Sequence, residues 1–285
     1  MQRNRRLATW IGALLGAFMA LLLNSALAHA SDDGPLVTEE FHQSYPLTAN
    51  GRVELQNING AVHITAWDKN EIKVDAVKSA HSQDQLKRAE IRVDAHSDSV
   101  SIETHYAHDD DDWSSHQNPA SVEYTVTVPR NARLDEIKLI NGELEVADVK
   151  GEVRASCING KLIARGLAGE TRLSTINSKL DAEFSKLGSE SVDLSSVNGS
   201  VDLTLPSDAK ASIEANTVHG GIDNDFGLHA NNHHWVGHDL RGELAGGGTR
   251  IELHNVNGRI DIHHAADGKA ISPAKDTGEH QQGSV

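Results

Sequence analysis

Apolar residues recur along most of this chain with a period of nine. Counted from a set of regularly spaced glycines as position zero, they stand at positions two, four and seven. Gly51 is followed by Val53, Leu55 and Ile58, and Gly142 by Leu144, Val146 and Val149. Gly151 gives Val153, Ala155 and Ile158, and Gly160 gives Leu162, Ala164 and Leu167. Thr249 stands in for glycine ahead of Ile251, Leu253 and Val256. The residues between are mostly polar or charged. Alternation at positions two and four is that of a strand with one buried face. Position seven breaks the alternation, so the chain bends before the next glycine. This spacing excludes a long helix.

A longer period lies over the short one. An apolar residue followed by Asn-Gly recurs at Ile58-Asn59-Gly60, Ile140-Asn141-Gly142, Ile158-Asn159-Gly160, Val197-Asn198-Gly199 and Val256-Asn257-Gly258. Ile176-Asn177-Ser178 and Val218-His219-Gly220 keep the register. From Asn141 to His219 the steps are 18, 18, 21 and 21 residues. Asn-Gly is a strong hairpin signal, so a meander could use it. Only every second turn is Asn-Gly, however; those between are Lys150-Gly151 and Ala168-Gly169. Two alternating corners are what a two-sided β-solenoid needs, each coil having two strands and like corners stacking. The predicted fold is therefore all-β, a two-sided solenoid of 18–21-residue coils. Asn141, Asn159, Asn177, Asn198 and Asn257 are expected to form a structural ladder along one edge. Leu144, Val146, Leu162, Ala164, Leu173, Val192, Leu194, Val201 and Leu203 are expected to face inward.

The repeat lapses twice. Over 68–139 the sequence predicts an irregular β-rich segment that caps or flanks the stack, with strands near Ile72–Val77, Ile91–Val93, Val100–Ile102 and Val122–Val128 and a short helix within Asp84–Glu90. A His- and Gly-rich insert spans 226–248. Residues 265–285 have little to bury and are expected to be disordered. The single repeat domain then runs over 37–264, after a short polar linker at 31–36. Ahead of it, Arg3, Arg5 and Arg6 precede the apolar run Ile11–Leu23 and the small-residue site Ala28-His29-Ala30. That is the pattern of a secretory signal peptide over 1–30, cleaved after Ala30, which places the mature chain in the periplasm or outside the cell.

Without the leader's three arginines the chain has 23 Lys and Arg, from 26, against 41 Asp and Glu. A charge of −18 disfavours a nucleic-acid partner, which would need a basic footprint. Cys157 is the only cysteine, so no disulfide framework forms within the chain. Aromatic residues are only 4%, as suits a thin coil filled by aliphatic side chains. No apolar span follows the leader, and none is expected to cross a membrane after cleavage.

Several stretches together resemble a known family. Gly51-Arg-Val-Glu-Leu-Gln-Asn-Ile-Asn-Gly-Ala-Val-His-Ile-Thr-Ala-Trp67, Tyr124-Thr-Val-Thr-Val-Pro129, the Asn-Gly ladder and Gly220-Gly-Ile-Asp-Asn-Asp-Phe226 are similar to the "putative adhesin" family of exported bacterial domains of unknown function. The resemblance covers roughly Val37 to His263. It implies a β-solenoid at the cell envelope with a non-enzymatic role.

Candidate chemistry is sparse. His229, His233, His234 and His238, with His219 upstream and Asp239 adjacent, could chelate Zn or Cu, although Asn231 and Asn232 argue for a polar surface loop. Asp109–Asp112 with His105, His108 and His116 could attract Ca but lack the alternating ligands of a calcium loop. Asp181, Asp202 and Asp223, 21 residues apart, could align outward as a glycosidase-like carboxylate set, or serve solubility alone. Ser207-x-x-Lys210 and Ser272-x-x-Lys275 lack companion motifs, Gly246-Gly247-Gly248 lacks a following Lys-Ser/Thr, and Cys157 suits a small corner filler. No catalytic or cofactor-binding residue is assigned. The sequence points to a non-enzymatic envelope protein whose partner is a protein or an envelope polysaccharide. A periplasmic metal-binding protein and a carbohydrate-active solenoid are the alternatives.

Overall fold

The structure, a computed structural model, describes residues 35–107, 120–232 and 237–278. From the N-terminal side, β1 (Val37–Pro46) leads into a first coil of β2 (Arg52–Asn59) and β3 (Val62–Trp67). An excursion follows: β4 (Glu71–Ala80), helix α1 (Gln83–Arg88), β5 (Ala89–Ala95), β6 (Ser99–Tyr106) and β7 (Ser121–Pro129). Four coils then run in order. They are β8 (Arg133–Asn141) with β9 (Leu144–Ala147), β10 (Val153–Asn159) with β11 (Leu162–Leu167), β12 (Thr171–Thr175) with β13 (Leu180–Phe184), and β14 (Val192–Asn198) with β15 (Val201–Leu205). Last come β16 (Ala211–His219), β17 (Ile222–Asn224), β18 (Ala230–Asn232), β19 (His238–Leu244), β20 (Thr249–Asn257), β21 (Ile260–His264) and β22 (Ala274–Asp276).

Each coil gives one strand to each of two sheets. The first sheet has the order β1-β4-β7-β3-β9-β11-β13-β15-β21-β17, and the second β18-β19-β16-β20-β14-β12-β10-β8-β2-β6-β5, with β22 against β19. Coil-to-coil pairing is parallel throughout, with Leu162 opposite Leu144 and Leu180, and Leu173 opposite Ala155 and Leu194. The fold is an all-β solenoid. Leu144, Val146, Leu162, Ala164, Leu173, Leu194, Val201 and Leu203 are wholly inaccessible and Val192 nearly so. Positions two and four fill the space between the sheets because their side chains share one face of each strand.

Position seven behaves differently at the two corners, which corrects the simple nonapeptide reading. At one corner it is core: Val149 and Leu167 are buried. At the Asn-Gly corner the period of two continues one step further. Position six turns inward and position seven outward, so Cys157 is buried and Ile158 is exposed. Tight stacking explains the glycines here. A Cβ on Gly160 would lie 1.7 Å from the Gly142 carbonyl oxygen of the neighbouring coil, and Gly142 itself has φ of 140°.

The order of coils in space is not their order in sequence. β6 and β7, expected only to flank the stack, form a coil of their own, pairing in parallel with β2 and β3. The first coil in sequence is thus second in the stack. At the other end β20–β21 lies between β14–β15 and β16–β17, so the last coil in sequence is second from that end. Beyond both end coils the sheets change to antiparallel pairing: β5 on β6, β4 on β7 with β1 on β4, and β19 on β16 with β18 and β22 on β19. These strands cover edges that would otherwise template association. The helix is Gln83–Arg88, capped by the Ser82 hydroxyl accepting from the Gln85 amide at 3.2 Å and seated by buried Leu86.

The expected disorder of the tail is corrected as far as Gly278. Ser207 Oγ donates to the Ala265 carbonyl at 2.7 Å, Ser272 Oγ to the Ala209 carbonyl at 2.7 Å, and β22 pairs with β19. Side-chain hydroxyls and an open sheet edge hold this segment, in place of apolar burial. Ser207 and Ser272 are both buried, and their hydroxyls pin the tail to the stack. Among the described residues no helix is long and apolar enough to cross a membrane. The predicted signal peptide over 1–30 and residues 31–34 of the predicted linker lie outside the described residues.

Candidate functional site

The Asn-Gly corners stack into one edge. Asn141 Nδ2 donates to Asn59 Oδ1 at 2.8 Å, Asn159 to Asn141 at 2.9 Å, and Asn177 to Asn159 at 2.9 Å. Asn198 donates to Asn177 at 3.1 Å, and Asn257 to Asn198 at 2.9 Å. Asn257, not His219, follows Asn198, because β20 is interposed; His219 stands next, opposite Asn257. At the other end the Tyr106 hydroxyl bonds to Asn59 and donates to the Ala120 carbonyl at 2.9 Å. Burial pushes its pKa up to about 12.

Behind the ladder the inward residue of every corner but one is small or polar, Leu139 being the exception. Asn255 Nδ2 donates to the Gly199 carbonyl at 2.7 Å, Asn57 Nδ2 to the Val122 carbonyl at 2.8 Å, and Thr217 Oγ1 to the Gly258 carbonyl at 3.0 Å. Cys157 Sγ lies 3.5 Å from the Gly142 carbonyl oxygen, and burial raises its pKa to about 11. It is a corner filler.

In front of the ladder, Ile58, Ile140, Ile158, Ile176, Val197, Val256 and Val218 form a row, each 36–42% exposed. They account for seven of the ten large apolar side chains exposed among the described residues. The nonapeptide pattern takes the members at position seven for core. The signal that separates them is local: each directly precedes the Asn of its corner (His219 for Val218) and follows an inward residue, so strict alternation turns it out. On the second sheet Ser156, Ser174 and Ser195 stand in register beside this row. Near Ile58, Ile140 and Ile158 the trough between them deepens into a cleft of about 420 Å³ that also takes in Gln56, Lys138 and Ser156.

The other candidates are dispersed. His229 Nδ1 contacts Asp276 Oδ2 at 2.8 Å, and the His229 amide donates to Asp276 Oδ1 at 2.9 Å. His238 lies in β19 opposite Thr217 and Asn232. His233 and His234 lie outside the described residues, as do Asp109–Asp112, His108 and His116. Among the described residues no three His, Cys, Asp or Glu groups are placed to hold a metal ion. The aspartate alignment is corrected. Asp181 and Asp202 are neighbours, but Asp261 stands between Asp202 and Asp223. Lys179 pairs with Asp202 and lies 3.9 Å from Asp181, while Arg259 reaches Asp223 at 2.7 Å and Asp261 at 3.0 Å. The hydrogen bond to Asp202 raises the Lys179 pKa. Paired with Lys179 and Arg259, this row forms a charged face on the first sheet.

Fold and edge together define a two-sided parallel β-solenoid flanked by antiparallel strands, with one amide-laddered corner. Three solved structures are similar to it. A "putative cell adhesion protein" from Clostridium sporogenes matches with a TM-score of 0.47 and 13% identity, over 80% of this chain and 100% of that one. A "putative adhesin" from Bacteroides fragilis matches with a TM-score of 0.30 and 10% identity, over 80% and 97%. A "putative adhesin" from Parabacteroides merdae matches with a TM-score of 0.22 and 9% identity, over 82% and 97%. No family model matches the chain, and no curated protein does.

Proposed function

We propose that this is an exported, non-catalytic protein of the bacterial cell envelope that holds a macromolecule along its asparagine edge. One observation carries the reading: exposed aliphatic side chains stand in an unbroken row beside the amide ladder. Isolated surface leucines need no explanation, whereas a continuous apolar strip rimmed by polar groups marks an interaction surface. The leader sequence supports export, and the mature chain is expected to begin at Ser31. Intact mass or N-terminal sequencing of envelope material checks this, and retention of Met1 would refute it.

The edge is tested by immobilising the mature chain and measuring retention of isolated envelope fragments. The double change Ile158→Ser, Ile176→Ser should abolish retention while leaving the circular dichroism spectrum intact. Asp181→Asn, Asp202→Asn on the charged face should leave retention unchanged. Equal retention by all three proteins would refute the edge as the binding surface.

A further inference from the structure

The middle of the asparagine edge is uncharged, in a chain of which 24% is charged. Across the coils β10–β11, β12–β13 and β14–β15 it forms a lattice of three rows by three. One row is Ile158, Ile176 and Val197; the second is Asn159, Asn177 and Asn198; the third is Ser156, Ser174 and Ser195. Asp181 and Asp202 lie on the opposite sheet, and on this sheet the nearest charges, one outward position before the serines, are Arg154, Arg172 and Asp193, with Arg172 paired to Asp193 at 3.3 Å and Arg154 paired to Glu152.

Building on the reading of this edge as the binding surface, we propose that its occupant is a neutral, linear polysaccharide lying along the stack axis. Successive coils repeat the same three groups about every 4.8 Å, so a matching ligand must itself be linear and repetitive. The aliphatic row offers contact to the C–H faces of sugar rings. The serine row offers hydroxyls. Asn159 spends one N–H on Asn141 and one lone pair on the Asn177 amide, which leaves a second N–H and a second lone pair at an exposed side chain for sugar hydroxyls. An uncharged lattice selects an uncharged polymer, because a polyanion meets the chain's net negative charge and the charges flanking the lattice are already paired with one another, Arg154 with Glu152 and Arg172 with Asp193.

A peptide adding as a strand is disfavoured by the backbone at these corners. The Gly142 amide donates to the Asn159 carbonyl at 3.1 Å, the Asn177 amide to Ile158 at 2.9 Å and the Asn198 amide to Ile176 at 2.7 Å. Strand addition needs open main-chain groups, and the stack has used these.

The test titrates the mature chain with neutral cello-, xylo- and chito-oligosaccharides of about three and about ten units, with oligogalacturonate as the charged comparison. At least one neutral series should bind, about tenfold more tightly at the longer length as further coils engage. Ile158→Ser, Ile176→Ser and, separately, Ser174→Arg should each weaken it about tenfold or more. Asp181→Asn, Asp202→Asn should not. Because Ser174 is half-exposed, its replacement reports on the lattice without emptying a core site.

Failure of every neutral series would overturn the proposal. So would binding of oligogalacturonate alone, binding that ignores both lattice variants, or capture of phosphatidylglycerol vesicles in place of glycans. A dimer in sedimentation that the Ile158→Ser, Ile176→Ser pair dissolves would also overturn it, since the edge would then be covered by a second copy. If envelope fragments are still retained through the edge while no glycan binds, the edge reading stands and the glycan falls.

Discussion

At the scale of single residues, two neighbours at one corner do different work. Asn159 is an exposed rung bonded on both sides at 2.9 Å. Asn159→Asp keeps its acceptor for Asn177 and loses its donor to Asn141, whose freed oxygen meets water. The cost should be about 1 kcal/mol. Gly160→Ala drives a Cβ into the Gly142 carbonyl and forces two coils apart, at about 3 kcal/mol. Urea denaturation of both variants checks the order, and equal midpoints would contradict the close stacking. Cys157 gives a separate test. With a pKa near 11 and almost no exposure, its thiol should resist alkylation at pH 8 in the native protein and react at once in denaturant.

For whole elements, strand register makes the sharpest demand. Leu162 of β11 is buried between Leu144 and Leu180, while Lys161 just before it is exposed. Leu162→Ala should cost about 2–5 kcal/mol, and Lys161→Ala about 0.5 kcal/mol or less. Calorimetry should separate the two, and similar losses would place the strand one residue out of register. The same alternation was legible in the sequence for every strand that follows the nonapeptide pattern. It was misleading at the Asn-Gly corner, where apolar identity at Ile158 masked an outward position. The excursion over 68–139 was legible as strands but not as a coil, because β6 and β7 lack the glycine and asparagine marks of the repeat.

In the whole molecule, titration sets the range of stability. The Asp68 carboxyl is lowered by its hydrogen bond to Arg130, and that of Asp267 by its bond to Ser207. Both contributions are present above the ordinary value of 3.8 and disappear as pH falls through the lower folded values. The hydrogen bonds that His42 donates to Asp75 and Glu40 raise its pKa, so its contribution is full below 6.5 and disappears as pH rises through the raised folded value. Burial raises Tyr106 and Tyr124 to about 12. Their unfolded forms ionise near 10, so stability is lost between pH 10 and 12. Unfolding midpoints across pH should therefore show acid loss below about pH 4, a slight decline above 6.5 and steep loss beyond 10. A stable alkaline plateau would contradict the two buried tyrosines.

The sequence by itself determined the class of fold, the two kinds of corner and the core face of the regular strands. These follow from local alternation and from the conformational needs of Asn-Gly turns, which act over a few residues. Which coils are neighbours was decided only in three dimensions. Val201-Asp-Leu203 and Ile260-Asp-Ile262 present nearly the same inward groups to the stack, so side-chain pattern alone permits either order of the two. Interposing β20–β21 buries the last coil on both sides and frees the chain between β17 and β20 to supply the covering strands β18 and β19. The exposed aliphatic row likewise belongs to the tertiary structure. Each member is one ordinary apolar residue in its own repeat, and only stacking brings the seven into a surface.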